Sequence, residues 1–224
     1  MKYLQFALVL FLSTNLFSQT LQETRRFNAP QRVIVDGQMT VNFHLAEEVE
    51  VVIESEGVDL QDIYTKYTDE ELLIRVEPLD IEGGEVTIDA FVPKLSSLTL
   101  HRGAETDILM NIFKEHTELK ATSGAEIEAV VKVNSVEAKC TSGAFIELAG
   151  EVEYLEAKVH SGGKIRTDSL KLDRAKLIAR TGGFIAANPT KEAQVRSTFG
   201  GEIKLLEKVV VKSTTLFGEI YLAE

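Results

Sequence analysis

Ser142-Gly143-Ala144-Phe145-Ile146 is the most informative segment for the fold class, because close copies of it recur along the second half of the chain. In every copy but the last, which has lost one residue, the isoleucine follows the glycine by three positions. The isoleucines are spaced by 19, 19, 20, 18 and 17 residues: Ile127, Ile146, Ile165, Ile185, Ile203 and Ile220. A recurring unit of nearly constant length is the signature of a repeat protein.

The residues before each glycine alternate between inward and outward types. Two columns of mostly small or apolar residues result: Leu98, Leu119, Ala138, Ala157, Leu177 and Val195, then Leu100, Ala121, Cys140, Val159, Ala179, Ser197 and Thr214. A period of two is typical of a strand with one buried face. Each repeat therefore reads as a strand, a tight turn and a second strand. Glycine suits the corner because it reaches positive φ without a clash and lets neighbouring turns approach closely.

A unit of about 19 residues cannot bury its inward face alone, so consecutive copies are expected to stack. Stacking at about 4.8 Å per layer builds a continuous core, which is the architecture of a β-solenoid. Since parallel crossovers are overwhelmingly right-handed, the sequence predicts an all-β fold, a right-handed parallel β-helix. An antiparallel sandwich also has regularly spaced short strands, but it does not need the same residue at each successive corner.

The segment before the repeats is less regular. Residues 27–45 contain a strand, Gly37 and a second strand, which predicts a first layer of the solenoid. Residues 49–54 and 72–76 alternate as strands, and residues 58–66 are expected to form a short helix or turn. Because this stretch breaks the repeat, we expect an irregular N-terminal cap over the exposed backbone at the solenoid's end.

The first 18 residues have the pattern of a secretory signal peptide. Lys2 provides a positive start, residues 3–12 are almost wholly apolar, and the small polar residues that follow predict cleavage between Ser18 and Gln19. The alternative is an uncleaved membrane anchor. It is disfavoured because the apolar run is well short of the ~20 residues that span a bilayer.

The mature chain is expected to be a linker at 19–26 and a single domain at 27–224, exported to the periplasm, the cell surface or the medium, with no membrane span. The formal net charge is −11. This charge disfavours nucleic acid and acidic membranes as partners, since both need a concentrated basic surface. Cys140 is the only cysteine, and its place in an inward column predicts burial without a disulfide framework.

Catalytic and metal-binding patterns are not apparent in the sequence. His101 and His160 share a column but lie three layers, ~14 Å, apart, which is too far to hold one metal. No His-Cys or carboxylate set has zinc spacing, and no serine has recognisable histidine and acid partners. The glycine pairs precede no helix, so they do not form a phosphate site. The sequence predicts no catalytic residue, metal or cofactor.

Four features together resemble a known family. They are the export signal, the glycine hairpin at Gly37, the stretch Thr87-Ile88-Asp89-Ala90-Phe91-Val92-Pro93-Lys94-Leu95, and the recurring Ser-Gly-Ala/Gly-x-Ile corners. They resemble the putative auto-transporter adhesin, head GIN domain family, which is common in Bacteroidetes. The resemblance covers about residues 27–224 and implies a right-handed β-helix in the cell envelope or the medium.

Residues that flank the inward isoleucines must point outward. One outward column is Glu105, Glu126, Phe145, Lys164, Phe184, Glu202 and Glu219, and the next is Asp107, Glu128, Glu147, Arg166, Ala186, Lys204 and Tyr221. Phe145 and Phe184 bracket Lys164, so these three residues are the candidate ligand-binding patch, where the rings could stack on sugars. The alternative is that a loop or the second subunit of a homodimer covers the rings, because large apolar patches rarely stay exposed.

The early layers of the same two columns concentrate carboxylates: Glu105, Asp107, Glu126, Glu128 and Glu147. Such a cluster could bind Ca²⁺ or raise the pKa of one carboxyl toward that of a general acid. It could equally be a solvated acidic face beside the basic residues Lys164 and Arg166.

These observations favour a non-enzymatic module that binds a glycan or an envelope protein along its elongated face. A polysaccharide lyase or hydrolase on the same scaffold is the alternative, and a structural or self-associating module is a third. An enzyme should gather acids, a base and a metal in one groove. Here the acids lie in the early layers and the bases mostly in the later ones.

Overall fold

The computed structural model describes residues 20–77, 84–206 and 208–222. This part of the chain is built of strands, with one 3-10 turn at Leu60–Asp62. The strands are β1 (Leu21–Phe27), β2 (Arg32–Asp36), β3 (Thr40–Leu45), β4 (Val49–Glu56), β5 (Ile63–Thr68), β6 (Glu71–Val76), β7 (Glu85–Val92), β8 (Leu95–His101), β9 (Glu105–Ile108), β10 (Phe113–Thr122), β11 (Glu126–Thr141), β12 (Phe145–His160), β13 (Lys164–Arg166), β14 (Leu170–Arg180), β15 (Phe184–Ala187), β16 (Pro189–Thr198), β17 (Glu202–Leu205), β18 (Val210–Leu216) and β19 (Glu219–Leu222).

The predicted β-solenoid is confirmed, because strands about 19 residues apart pair in parallel. Strands that precede a corner form face A, which runs through β6, β2, β8, β10, the second halves of β11 and β12, β14, β16 and β18. Strands that follow a corner form face B, which runs through β7, β3, β9, the first halves of β11 and β12, β13, β15, β17 and β19. One strand of each face makes a layer.

The predicted isoleucine column stacks in register from Ile127 to Ile220. Its members are fully buried except Ile220, which is half-buried in the last layer. Cys140 is buried in the neighbouring column, as predicted, and its thiol donates a hydrogen bond to the carbonyl oxygen of Ala144 at 2.9 Å. Burial raises the pKa of this thiol to about 11, so at neutral pH Cys140 is a neutral packing residue.

Six successive corners, from Arg102-Gly103 to Phe199-Gly200, are turns with two consecutive residues in the left-handed region. At the corner between β12 and β13, Ser161 has φ 53° and Gly162 has φ 73°. A Cβ atom at Gly162 would meet nothing within 4 Å, whereas one at Gly163 would lie 2.8 Å from the backbone carbonyl of Cys140. The two properties of glycine that the sequence suggested are therefore divided between two residues. Gly162 supplies the positive φ and Gly163 allows the close approach.

The N-terminal cap is confirmed, and its strands are antiparallel. Strand β4 pairs with β7, β5 with β6, and β1 with β4, all in antiparallel register. The segment 19–26 was predicted to be a linker, and this was wrong because β1 begins at Leu21 and lies along the free edge of β4. Such covering removes an unpaired edge that would otherwise pair with another chain. The segment 58–66 was expected to form a short helix or turn, which is confirmed for the 3-10 turn at Leu60–Asp62 and wrong for residues 63–66, which belong to β5.

The layer formed by β2 and β3 is second in the stack, and the prediction that residues 27–45 form the first layer is wrong. Val35 of β2 is paired with Ile74 of β6 on one side and with Leu100 of β8 on the other. The chain thus leaves the β2–β3 layer, builds the cap and the β6–β7 layer outside it, and returns to the opposite side to begin the regular array.

Asp36 links the three layers that contain β6, β2 and β8. Its carboxylate accepts hydrogen bonds from Nε of Arg75 at 3.0 Å and from Nε of Arg102 at 2.5 Å. The Asp36 side chain is only 13% exposed. A mostly buried carboxylate needs such partners, because an unpaired one would cost several kcal/mol.

The last layer differs from its predicted alignment by one residue. Thr215 lies opposite Ser197, so Thr215 takes the place in the inward column that Thr214 was predicted to occupy. The reason is that the last corner, at Phe217 and Gly218, lacks the positive-φ glycine of the other corners.

The predicted signal peptide, residues 1–18, lies outside the described residues. None of the described residues lies in a helix with the length and apolar character that a membrane span needs.

Candidate functional site

Face B places the three predicted ligand-binding residues side by side. Phe145 begins β12, Lys164 begins β13 and Phe184 begins β15. In the parallel register Phe145 is paired with Lys164, and Lys164 with Phe184. The next residues, Ile146 and Ile165 among them, are fully buried, so the alternation of the strand directs the three outward. We call these three residues the aromatic patch.

The ammonium group of Lys164 lies over both rings of the aromatic patch. Its Nζ atom is 5.8 Å from the ring centroid of Phe145 and 5.5 Å from that of Phe184. Both distances are within the ~6 Å range of a cation–π attraction, which at exposed sites is worth about 0.5–1 kcal/mol. The lysine therefore lies between two half-buried rings that are two layers, about 9.6 Å, apart.

Charged residues border the aromatic patch. Glu126 is paired with Phe145 on one side, and Glu202 with Phe184 on the other. In the next outward column Arg166 contacts Asp168 at 2.5 Å and Glu147 at 3.8 Å. The patch is thus a short apolar strip with one cation at its centre and carboxylates at both ends.

The predicted acidic cluster forms a groove beside the patch in the earlier layers. The groove has a volume of about 310 Å³ and is lined by Thr40, Asn42, Glu105, Thr106, Asp107, Glu126 and Glu128. Burial raises the pKa of Glu126, and the charges of Glu128, Glu105 and Glu147 raise it further. Within residues 20–77, 84–206 and 208–222, no group of three or more His, Cys, Asp or Glu side chains is arranged to hold a metal ion.

The two histidines of one column are as far apart as the sequence suggested. His101 is paired with Thr122, Thr122 with Thr141, and Thr141 with His160. Three layer spacings separate the histidines. Nδ1 of His160 hydrogen-bonds the hydroxyl of Thr141 at 3.0 Å, so this histidine takes part in the surface of face A.

Face A carries a ladder of ion pairs that was not predicted from the sequence. Lys139 contacts Glu118 at 2.7 Å and Glu137 at 3.1 Å, and the following layers repeat the arrangement with Lys158 and Lys176. We call this set, Glu118, Lys139, Glu137, Lys158, Glu156 and Lys176, the charge ladder. The sequence pattern that could have predicted it is Glu-x-Lys, which recurs with the period of the repeat at residues 118–120, 137–139 and 156–158.

A known family shares this sequence pattern over residues 29–208, and its description is "Putative auto-transporter adhesin, head GIN domain". The chain belongs to this family. The match covers the cap apart from β1 and all but the last layer of the solenoid, including the aromatic patch. No curated protein is a significant match to the chain.

Solved structures share the fold of this head GIN domain protein. A putative adhesin from Bacteroides fragilis is 11% identical with a TM-score of 0.79, and covers 92% of this chain and 97% of its own. A putative adhesin from Parabacteroides merdae is 12% identical with a TM-score of 0.74, over 92% and 97%. A putative lipid binding protein from Parabacteroides distasonis is 12% identical with a TM-score of 0.69, over the same shares. At such identities the likeness concerns the fold alone.

Proposed function

We propose that this head GIN domain protein is an exported, non-enzymatic binding module of the cell envelope, and that the aromatic patch contacts a glycan or an envelope protein. The observation that carries the proposal is the position of Lys164 between the two rings, 5.8 and 5.5 Å from their centroids. Two rings on one rigid sheet offer apolar area with little ordering cost on binding. The adhesin-like family supports this class of function.

The chemistry of the patch fits a sugar better than a purely apolar ligand. Aromatic rings stack on the apolar faces of sugar rings, and the Lys164 ammonium group can donate hydrogen bonds to hydroxyls or attract a carboxylate. The border residues Glu126 and Glu202 accept hydrogen bonds from hydroxyl groups. The spacing of the rings, about 9.6 Å along the solenoid, selects a ligand longer than one sugar.

A double variant tests the patch. Replacing Phe145 and Phe184 by serine should weaken binding to a responsive glycan on an array by at least tenfold, about 1.4 kcal/mol, with the melting temperature little changed. The matched control replaces Phe217, which is 81% exposed at the last corner of the solenoid, by serine and should bind normally. If the Phe145/Phe184 variant binds normally but changes from dimer to monomer in light scattering, the patch is a subunit interface.

A polysaccharide-cleaving enzyme is the second candidate, and the raised pKa of Glu126 in the acidic groove is the observation that favours it. A carboxyl group that keeps its proton nearer to neutral pH can act as a general acid. An assay for newly released sugar ends separates the two classes. The enzyme is supported if the wild-type protein releases sugar ends, Glu126→Gln abolishes the release and Glu202→Gln does not. Such a result would contradict the proposal of a non-enzymatic binding module.

Export has its own test. Mass spectrometry of the protein recovered outside the cytoplasm should give an N terminus near Gln19 or Thr20, since Lys2 and the apolar residues 3–12 have the pattern of a cleaved signal. Recovery of chains with intact Met1 from the cytoplasm alone would contradict it.

A further inference from the structure

A groove on face A, away from the aromatic patch, is lined by basic residues. Its volume is about 370 Å³, and none of its nine lining residues is acidic. Five of them can carry a positive charge: Lys120, Lys139, Lys158, His160 and Arg180. A second groove of about 500 Å³ continues it past Ile178 and is lined by Lys176, Arg196 and Lys212. This is unusual on a chain whose formal net charge is −11.

The parallel register arranges these cations in a straight stripe. Lys120, Lys139, Lys158, Ile178 and Arg196 are paired in succession along one outward column. Thr141, His160 and Arg180 occupy the neighbouring column. From Lys120 to Arg196 the stripe spans four layer spacings, about 19 Å. We call it the basic stripe.

The carboxylates of face A neutralise only part of this charge. The charge ladder pairs Lys139, Lys158 and Lys176 with an equal number of glutamates. Among the described residues, Lys120, Arg180 and Arg196 form no ion pair, although each lines one of the two grooves. The uncompensated cations are therefore spread along the stripe, and a single small anion cannot reach from Lys120 to Arg180, three layers or ~14 Å away.

We propose that the basic stripe is a binding site for an extended polyanion, and that its ligand is an acidic polysaccharide bearing carboxylate or sulfate groups. Regularly spaced negative charges on one linear chain match cations spaced along the solenoid axis, and guanidinium groups bind such oxyanions in two-point contacts. A flat anionic membrane is disfavoured, because the cations line two consecutive grooves, which a narrow polymer chain can enter and a flat surface cannot. The site does not rest on the aromatic patch, which belongs to face B.

The test uses the exported protein and two commercial probes, polygalacturonate and dextran sulfate, with uncharged dextran as the control polymer. We expect calorimetric binding to at least one of the charged probes, none to dextran, and weakening as salt rises from about 0.05 M to about 0.5 M. Lys120→Glu combined with Arg180→Glu should lower the affinity at least tenfold. Both side chains are on the surface, so thermal melting should stay close to that of the wild type.

A matched double variant separates the effect of the basic stripe on affinity from the effect of overall net charge. Lys66→Glu combined with Lys204→Glu makes the same change in net charge at exposed positions outside both grooves and should change the affinity less than about twofold. Equal losses in the two double variants would overturn the proposal, as would binding to neither charged polysaccharide. Binding to phosphatidylglycerol-containing vesicles but to neither polysaccharide would also overturn it. The Phe145/Phe184 serine variant should bind the polyanion normally, so the failure of one site is distinguishable from that of the other.

Discussion

Ile165 and Lys164 are neighbours in the chain that lie on opposite sides of β13. Ile165 is fully buried in the isoleucine column, whereas Lys164 is exposed. We predict that Ile165→Asp unfolds or aggregates the protein, because an unpaired buried carboxylate costs several kcal/mol, a large share of the stability of a domain. Lys164→Asp should keep a cooperative thermal transition in circular dichroism. Equal loss of that transition in both variants would contradict the assignment of inward and outward residues.

Two glutamates are expected to affect stability in opposite directions. Burial, followed by the charges of Glu128, Glu105 and Glu147, raises the pKa of Glu126, so its ionised form opposes folding above that pKa. Hydrogen bonds from Lys158 and then Lys139 lower the pKa of Glu137, so its ionised form favours folding. At neutral pH, Glu126→Gln should raise the melting temperature and Glu137→Gln should lower it, each by about 1–3 °C.

The pH dependence of these two variants follows from the same signs. The increase in melting temperature caused by Glu126→Gln should disappear as the pH falls through the raised pKa of Glu126 toward 4.5, the ordinary value for this carboxyl. The decrease in melting temperature caused by Glu137→Gln should be present above pH 4.5. It should vanish at lower pH, where Glu137 is protonated in both the folded and the unfolded state. Melting curves at neutral and acidic pH measure both effects. A shift of the same sign in the two variants would refute the account.

The repeat predicts which side chains point inward, but not which outward side chains are in contact. The inward position of Cys140 and the neighbours of Lys164 follow from alternation and period. The contact between Lys139 and Glu118 joins residues that belong to adjacent columns as well as adjacent layers. Only the geometry of the packed strands decides such diagonal pairs, since long side chains reach beyond their direct neighbours.

The corner between β12 and β13 contains two glycines that can be compared within one turn. Gly162→Ala should cost about 1 kcal/mol, because alanine resists the left-handed region but meets no atom there. Gly163→Ala should cost more, about 1–3 kcal/mol, because its Cβ would lie 2.8 Å from the backbone of Cys140 and the stacked layers would have to shift. Denaturant unfolding of the two variants measures the difference. A larger loss in Gly162→Ala would show that strain in φ dominates the corner.

The N-terminal elements show where prediction from the sequence ends. Alternation predicted β4 and β6, and the need to cover an edge predicted the role of the cap, but β5 was predicted largely as a helix or turn. The position of β2 between β6 and β8 was not predictable, because the apolar patterns of Val33 and Val35 fit either end of the stack equally well. β1 was missed because its two faces are polar enough, with Arg25 and Arg26 in its sequence, to resemble a linker.

The solenoid has two faces with different surface chemistry. Face B carries the aromatic patch and the acidic groove, and face A carries the basic stripe and the charge ladder. The aromatic patch was predictable because its residues share one column. The basic stripe was not, since its balance of charge depends on which lysines contact glutamates. The overall charge of −11 conceals this local distribution.

The two ends of the solenoid should differ in local stability. Each layer of a solenoid contacts only its neighbours, and the N-terminal layers are covered by the antiparallel cap. In the last layer Val210 is 68% exposed and Leu216 is 51% exposed, whereas Ile146 and Leu155 of β12 are fully buried. We predict that the amides of β18 exchange with deuterium at least tenfold faster than those of β12 or β6, because opening one end layer breaks a single interface. Mass spectrometry of peptides from the three strands measures the rates. Uniform exchange along the stack would mean that the solenoid opens as one cooperative unit, with its C-terminal layer bound as firmly as its middle.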